Sequence, residues 1–159
     1  MSPSAKTVAA LAARLAVGLI LIISGAMKAA APPEEFSVII ESYQLLSSPD
    51  AILTIAAFLP WLEVVLGFCL LFGFLTSAAA AAAGGLFVLF ISALLLTLSR
   101  GIHLPNCGCF GFGWHPSPSQ TVALDAFLTA CAVLVFRHGR SRLSLDNWRG
   151  ASYTGSHGD

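Results

Sequence analysis

Residues 77–98 read SAAAAAAGGLFVLFISALLLTL, twenty-two positions without a charged side chain. As an α-helix the run would be about 33 Å long, enough to cross the hydrocarbon core of a bilayer. A run this long and this apolar is a membrane span rather than the core helix of a soluble domain. Its first half, Ala78–Ala83 followed by Gly84 and Gly85, suits that setting. Small side chains let helix backbones approach closely, which is how helices pack where lipid removes the hydrophobic drive between them.

Working outward from this run, three more segments qualify. One covers about Thr7–Met27 and is interrupted only by Arg14. A second, about Ala51–Leu75, contains Pro60 and Glu63. A third, about Thr121–Phe136, is shorter and carries Asp125 near its entrance. The whole chain agrees: of 159 residues, 57% are hydrophobic and 10% are charged, against about 25% charged in soluble domains. That excludes a disordered chain, a nucleic-acid binder and an ordinary cytosolic enzyme, and makes the lipid bilayer the principal partner. The expected fold is all-α: an integral membrane four-helix bundle, up-and-down, over residues 1–137, with a polar tail over 138–159. A competing reading of the first run is a signal peptide. Lys6 and Arg14 would be its basic region, Leu15–Ile23 its apolar core, and Ala29–Ala31 the cleavage site before Pro32.

The net charge is zero, but the charges are unevenly distributed. Arg137, Arg140, Arg142 and Arg149 follow the fourth span, and Lys6 precedes the first. The segment between the first two spans holds Lys28 against Glu34, Glu35, Glu41 and Asp50. By the positive-inside rule both termini are cytoplasmic. Residues 28–50 and 100–120 then lie outside, in the periplasm of a bacterial inner-membrane protein. Within the first of these, Glu34–Leu46 reads as a short amphipathic helix at the outer surface. Phe36, Ile39, Ile40 and Tyr43 follow 3/4 spacing behind Pro32 and Pro33. Such a helix either caps the bundle or merely connects its spans.

Ionisable groups at membrane depth are costly and usually paired. Measured from Lys28, Arg14 lies about 21 Å into the first span; measured from Ala51, Glu63 lies about 18 Å into the second. These similar depths predict an Arg14–Glu63 pair. Arg14, Gly18, Leu21, Gly25 and Lys28 share one helix face, which should face the bundle interior. The pair would fix helix register or form part of a proton or quinone site.

The remaining chemistry lies between Arg100 and Gln120, around Cys107-Gly108-Cys109. Two thiols two residues apart can close a disulfide if the segment bends, and the central glycine permits the bend. A strained, exposed disulfide is oxidising and labile, which suits exchange. Arg100, His103 and His115 could stabilise a thiolate. Phe110, Phe112 and Trp114 offer an apolar groove to a partner or a quinone ring. Two other readings stay open. One is a soft-metal site of His103, Cys107, Cys109 and His115, of the kind that suits copper(I); the other is a static structural disulfide within a membrane scaffold or chaperone. Cys69 and Cys131, alone in apolar runs, read as core residues.

Three elements together resemble a known family: Arg14-x3-Gly18-x5-Ser24-Gly25-x2-Lys28, Pro60-Trp61-x-Glu63-x3-Gly67-x5-Gly73, and Asn106-Cys107-Gly108-Cys109-Phe110-Gly111. The pattern, spread over Arg14–Phe136, resembles the MauE branch of the DoxX-like membrane proteins. The resemblance implies a four-helix membrane protein tied to periplasmic redox maturation in methylamine utilisation, accompanied by a thioredoxin-like partner. The architecture is also similar to vitamin K epoxide reductase, which passes electrons between thiols and a quinone, although the Cys-x-x-Cys of that enzyme is absent here. Cys107 and Cys109 are then the candidate catalytic pair of a thiol-disulfide oxidoreductase, with Arg100, His103, His115, Arg14, Glu63 and Lys28 in support. No cofactor is required by the residues themselves; quinone is the candidate electron acceptor.

Overall fold

The computed structural model describes residues 3–102 and 117–138, with side chains from Thr7 onward. Cys107, Cys109, His103 and His115 lie outside the described residues, as does the tail from Gly139. Five helices account for nearly all of what is described: α1 (Pro3–Ala29), α2 (Pro33–Ser42), α3 (Pro49–Phe72), α4 (Thr76–Ser99) and α5 (Pro118–His138). Four of them, all but α2, are long and apolar enough to cross a membrane. Their sides contact one another in the ring α1–α3–α4–α5 and back to α1. The described chain is a four-helix membrane bundle.

In each span's most apolar stretch only 28–39% of the residues are buried inside the protein. The outward residues include Leu19, Ile23, Phe58, Trp61, Phe72, Leu89 and Phe127. In water such a surface would drive aggregation; in a bilayer it is the solvated face. The inner face is a continuous apolar cluster containing Val17, Leu21, Leu66, Leu70, Phe87, Leu128 and Val135. Cys69 and Cys131 are partly buried, carry free thiols and pack against this cluster. Because α1 supplies Val17 and Leu21 to the core, the first span is a structural member of the bundle, not an appendage to it.

The helix boundaries have local causes. The second span was expected to run to Leu75, but α3 stops at Phe72. Gly73 takes a left-handed conformation (φ 68°), and the N–H of Phe74 donates back to the carbonyl of Cys69 at 2.9 Å. This is a glycine-terminated helix end that satisfies the last carbonyls. Only Gly73–Leu75 separate α3 from α4, so the two helices are antiparallel neighbours. The amphipathic helix α2 ends at Ser42, short of the expected Leu46, because the chain turns at Tyr43 and Gln44, where Gln44 has φ 52°. Its inward residues are those anticipated: Phe36 is buried, with Ile39, Ile40 and Tyr43 partly so.

Helix α2 packs on α3 and touches the end of α1. Two hydrogen bonds tie its exit to α4. The Thr97 hydroxyl donates to the Tyr43 carbonyl (3.2 Å), and the Arg100 guanidinium donates to the Gln44 carbonyl (3.2 Å). It therefore caps the end of the bundle from which α4 leaves and α5 returns.

Candidate functional site

Helices α1 and α3 meet more closely than any side chain would allow. A Cβ on Gly25 would lie 2.6 Å from the carbonyl oxygen of Pro60, and one on Gly67 would lie 2.7 Å from that of Gly18. Pro60, which cannot donate to the helix ladder, is itself buried. This approach sets the register of the two helices and brings Ser24 and Lys28, one turn apart on α1, against Glu63 on α3. The Lys28 ammonium contacts Glu63 Oε1 at 2.7 Å, and the Ser24 hydroxyl donates to Oε2 at 3.1 Å. The side chains of Lys28 and Glu63 are 3% and 1% exposed, so this ion pair is closed off from both water and lipid.

Its surroundings come from the other three helices. Phe36 of α2 and Phe90 of α4 set their rings 5.3 and 5.4 Å from the Lys28 ammonium, within cation–π range. Asp125 of α5, also buried, shares a small cavity with Ser24 and Glu63. All five helices thus place a side chain at one point in the bundle. A larger cavity of about 170 Å³ lies beside it, between α2, α3 and α4. Lys28, Tyr43 and Phe90 belong to its wall; the rest is aliphatic or aromatic, including Phe36, Ile40, Leu59 and Ala93.

The register corrects the expected Arg14–Glu63 pair. Since Glu63 is level with Ser24, Arg14 lies ten residues, about 15 Å, further along α1, level with the Gly73–Leu75 turn at the other end of the bundle. The depths were measured from Lys28, at the end of α1, and from Ala51, at the start of α3, and those two points are not level. By the same register α3 projects about 15 Å beyond the level of Lys28, and α2 covers the projecting part. The shared face of Arg14, Gly18, Leu21, Gly25 and Lys28 does point inward: Arg14, Leu21 and Lys28 are buried, and both glycines lie against α3.

Of the anticipated site residues, then, the fold unites Lys28 and Glu63 and separates Arg14 from them. Arg100 stands at the α2-capped end, on Gln44. Sequence reasoning missed Asp125, Phe36 and Phe90 as parts of the site. The sequence places Asp125 near the entrance of its span, but α5 begins at Pro118 and carries it two turns inside. As the lone acid of its span it carried the usual signal of a functional intramembrane charge.

The polar cluster and the glycine contact include Gly18, Ser24, Gly25, Lys28, Pro60, Glu63 and Gly67, which also make up much of the sequence pattern of the first and second spans. Comparison with curated proteins and with solved structures finds no match. The family model of methylamine utilisation protein MauE matches residues 6–137, a stretch that takes in all four spans, the buried cluster and the cysteine-bearing connection, and the chain belongs to that family.

Proposed function

We propose that this protein is an inner-membrane, redox-associated component of a methylamine-utilisation type of maturation. It would relay disulfides between a periplasmic thioredoxin-like partner and quinone, through Cys107 and Cys109. The observation that carries the reading is the Cys107-Gly108-Cys109 pair in a chain of the MauE family. The segment bearing it joins Ile102 to Ser117, the two residues that flank the connection from α4 to α5. The arginines after α5 argue that the opposite end of the bundle, with both termini, is cytoplasmic. This connection would then face the periplasm, where a disulfide persists.

The chemistry is a two-step exchange. A thiolate of the partner attacks the Cys107–Cys109 disulfide, giving a mixed disulfide. The partner's second thiol resolves it, leaving the partner oxidised and the pair reduced by two electrons and two protons. A quinone then takes those two electrons and two protons, becomes a quinol and restores the disulfide. The direction of the first step follows from the relative potentials of the pair and its partner. Arg100, His103 and His115 would favour the thiolate form. The 170 Å³ apolar cavity beside Lys28 supports the quinone step, since an apolar cavity of about 150 Å³ accepts a six-membered ring.

Expression of Cys109→Ser in cells tests the reading. The remaining Cys107 thiol should trap a thioredoxin-like protein as a mixed disulfide. Mass-tagging of the wild-type thiols should also show reduced and oxidised forms whose ratio shifts when that partner is deleted. A pair that is always oxidised and indifferent to the partner would instead mark a static disulfide. Copper bound by wild type and lost in Cys107→Ser would mark a metal site.

A further inference from the structure

Asp125 is the acid that α5 contributes to the buried cluster. It is 4% exposed, and its Oδ2 is buried without a hydrogen-bond partner. With Ser24 and Glu63 it lines a cavity of about 20 Å³ whose remaining walls are apolar, Phe87, Phe90 and Leu128 among them. One water needs roughly 10–15 Å³ and two to four polar neighbours, and this cavity meets both conditions.

Among the described residues the charges around it do not cancel. Lys28 from α1 and Glu63 from α3 neutralise each other at 2.7 Å. Helix α4 has no ionisable side chain. On α1, Arg14 is about 15 Å from the level of Glu63, and on α5 the next charge, Arg137, is twelve residues or about 18 Å away. The acids of α2, Glu34, Glu35 and Glu41, are exposed. An ionised Asp125 would therefore leave one uncompensated negative charge inside the membrane. A group so placed takes up a proton instead.

We propose that Lys28, Glu63 and Asp125 form a membrane-buried proton-binding site that holds one exchangeable proton. The proton rests on Asp125 Oδ2 and exchanges with a water in the small cavity; a proton leaving Asp125 is replaced by one from that water, so the charge of the site does not change. Lys28 holds Glu63 ionised, as a hydrogen-bond acceptor for the water. Phe90 is common to the walls of this cavity and the larger one. The site is independent of whether the cysteine pair exchanges disulfides.

The full-length protein in lipid nanodiscs provides the test. Infrared spectra should contain a protonated-carboxyl C=O band that shifts in heavy water and weakens as pH rises. Asp125→Asn, an isosteric change, should lose one carboxyl-equivalent of that band. Dicyclohexylcarbodiimide, which reacts with protonated carboxyls in apolar surroundings, should label the peptide containing Asp125 in wild type. Labelling should fall at high pH and disappear in Asp125→Asn. Wild-type protein with no protonated-carboxyl band at any pH that preserves its helicity would overturn the proposal. So would a band and labelling that stay unchanged in Asp125→Asn.

Discussion

The two main seams of the bundle solve the same packing problem differently. Between α1 and α3, Gly18, Gly25 and Gly67 bring the helix backbones into contact, and a buried ion pair with a serine hydroxyl sits directly on it. Between α4 and α5, alanine does the work: Ala79, Ala80, Ala83 and Ala132 are buried with Leu94, Leu128 and Val135. A Cβ added at Gly84 would lie 3.5 Å from that of Ala132, an ordinary contact, and one at Gly85 would touch nothing within 4 Å. The first seam is tight and polar, with one permitted register. The second is looser and relies on shape. In lipid, where burying apolar surface brings helices no gain over solvation by acyl chains, backbone proximity and hydrogen bonding must supply specificity. Here both are concentrated on one side of the bundle.

The largest effect should come from Glu63→Gln, which leaves the Lys28 ammonium buried without its counter-charge. Breaking a buried pair from one side costs about 3–5 kcal/mol. Helicity followed through a denaturing-detergent titration should show a loss of that order. The double variant Lys28→Met/Glu63→Leu should recover most of it, because the pair is removed as a unit. Failure of the double variant to recover would mean that the charges do more than offset each other.

Next comes Gly67→Ala. The new methyl would meet Ile22 Cγ1 at 2.6 Å and the Gly18 carbonyl oxygen at 2.7 Å. The Ile22 side chain can rotate away, but a backbone oxygen cannot, so the helices must separate. Overpacking of this kind costs about 1–3 kcal/mol, and separation would also lengthen the Lys28–Glu63 contact. Ser24→Ala should follow at the lower end of the same range. It removes a hydrogen bond to a charged acceptor, worth about 1.5–3 kcal/mol where fully formed, and here the bond is 3.1 Å long. The same detergent titration ranks both against Glu63→Gln.

Much of the bundle was legible in the sequence because membrane spans announce themselves by length and by the absence of charge. Residues 77–98 are nearly α4 itself, and the inward face of α1 followed from 3.6-residue periodicity alone. The pairing of charges was not legible, because depth along a helix has meaning only once two helices share a frame. That frame came from glycine contacts no pattern specifies, Gly25 on Pro60 and Gly18 on Gly67, and from α2 covering an end of α3 that outreaches α1. Asp125 was hidden by a boundary error: reading the last span from Thr121 put it near the membrane surface, and starting α5 at Pro118 sinks it into the cluster.

The smallest expected effect bears most directly on the difference between the seams. Glycine inside a helix is destabilising relative to alanine by about 0.5–1 kcal/mol, because its backbone loses more freedom on folding. At Gly84 the space for a methyl already exists, so Gly84→Ala should collect that gain and add one contact to Ala132. The detergent midpoint should rise slightly, opposite in sign to Gly67→Ala. Glycine at this position would then be a surplus of smallness after a run of six alanines, while Gly67 is a requirement. If Gly84→Ala lowers stability as much as Gly67→Ala does, the α4–α5 seam is as tight as α1–α3, and register is enforced on both sides of the bundle.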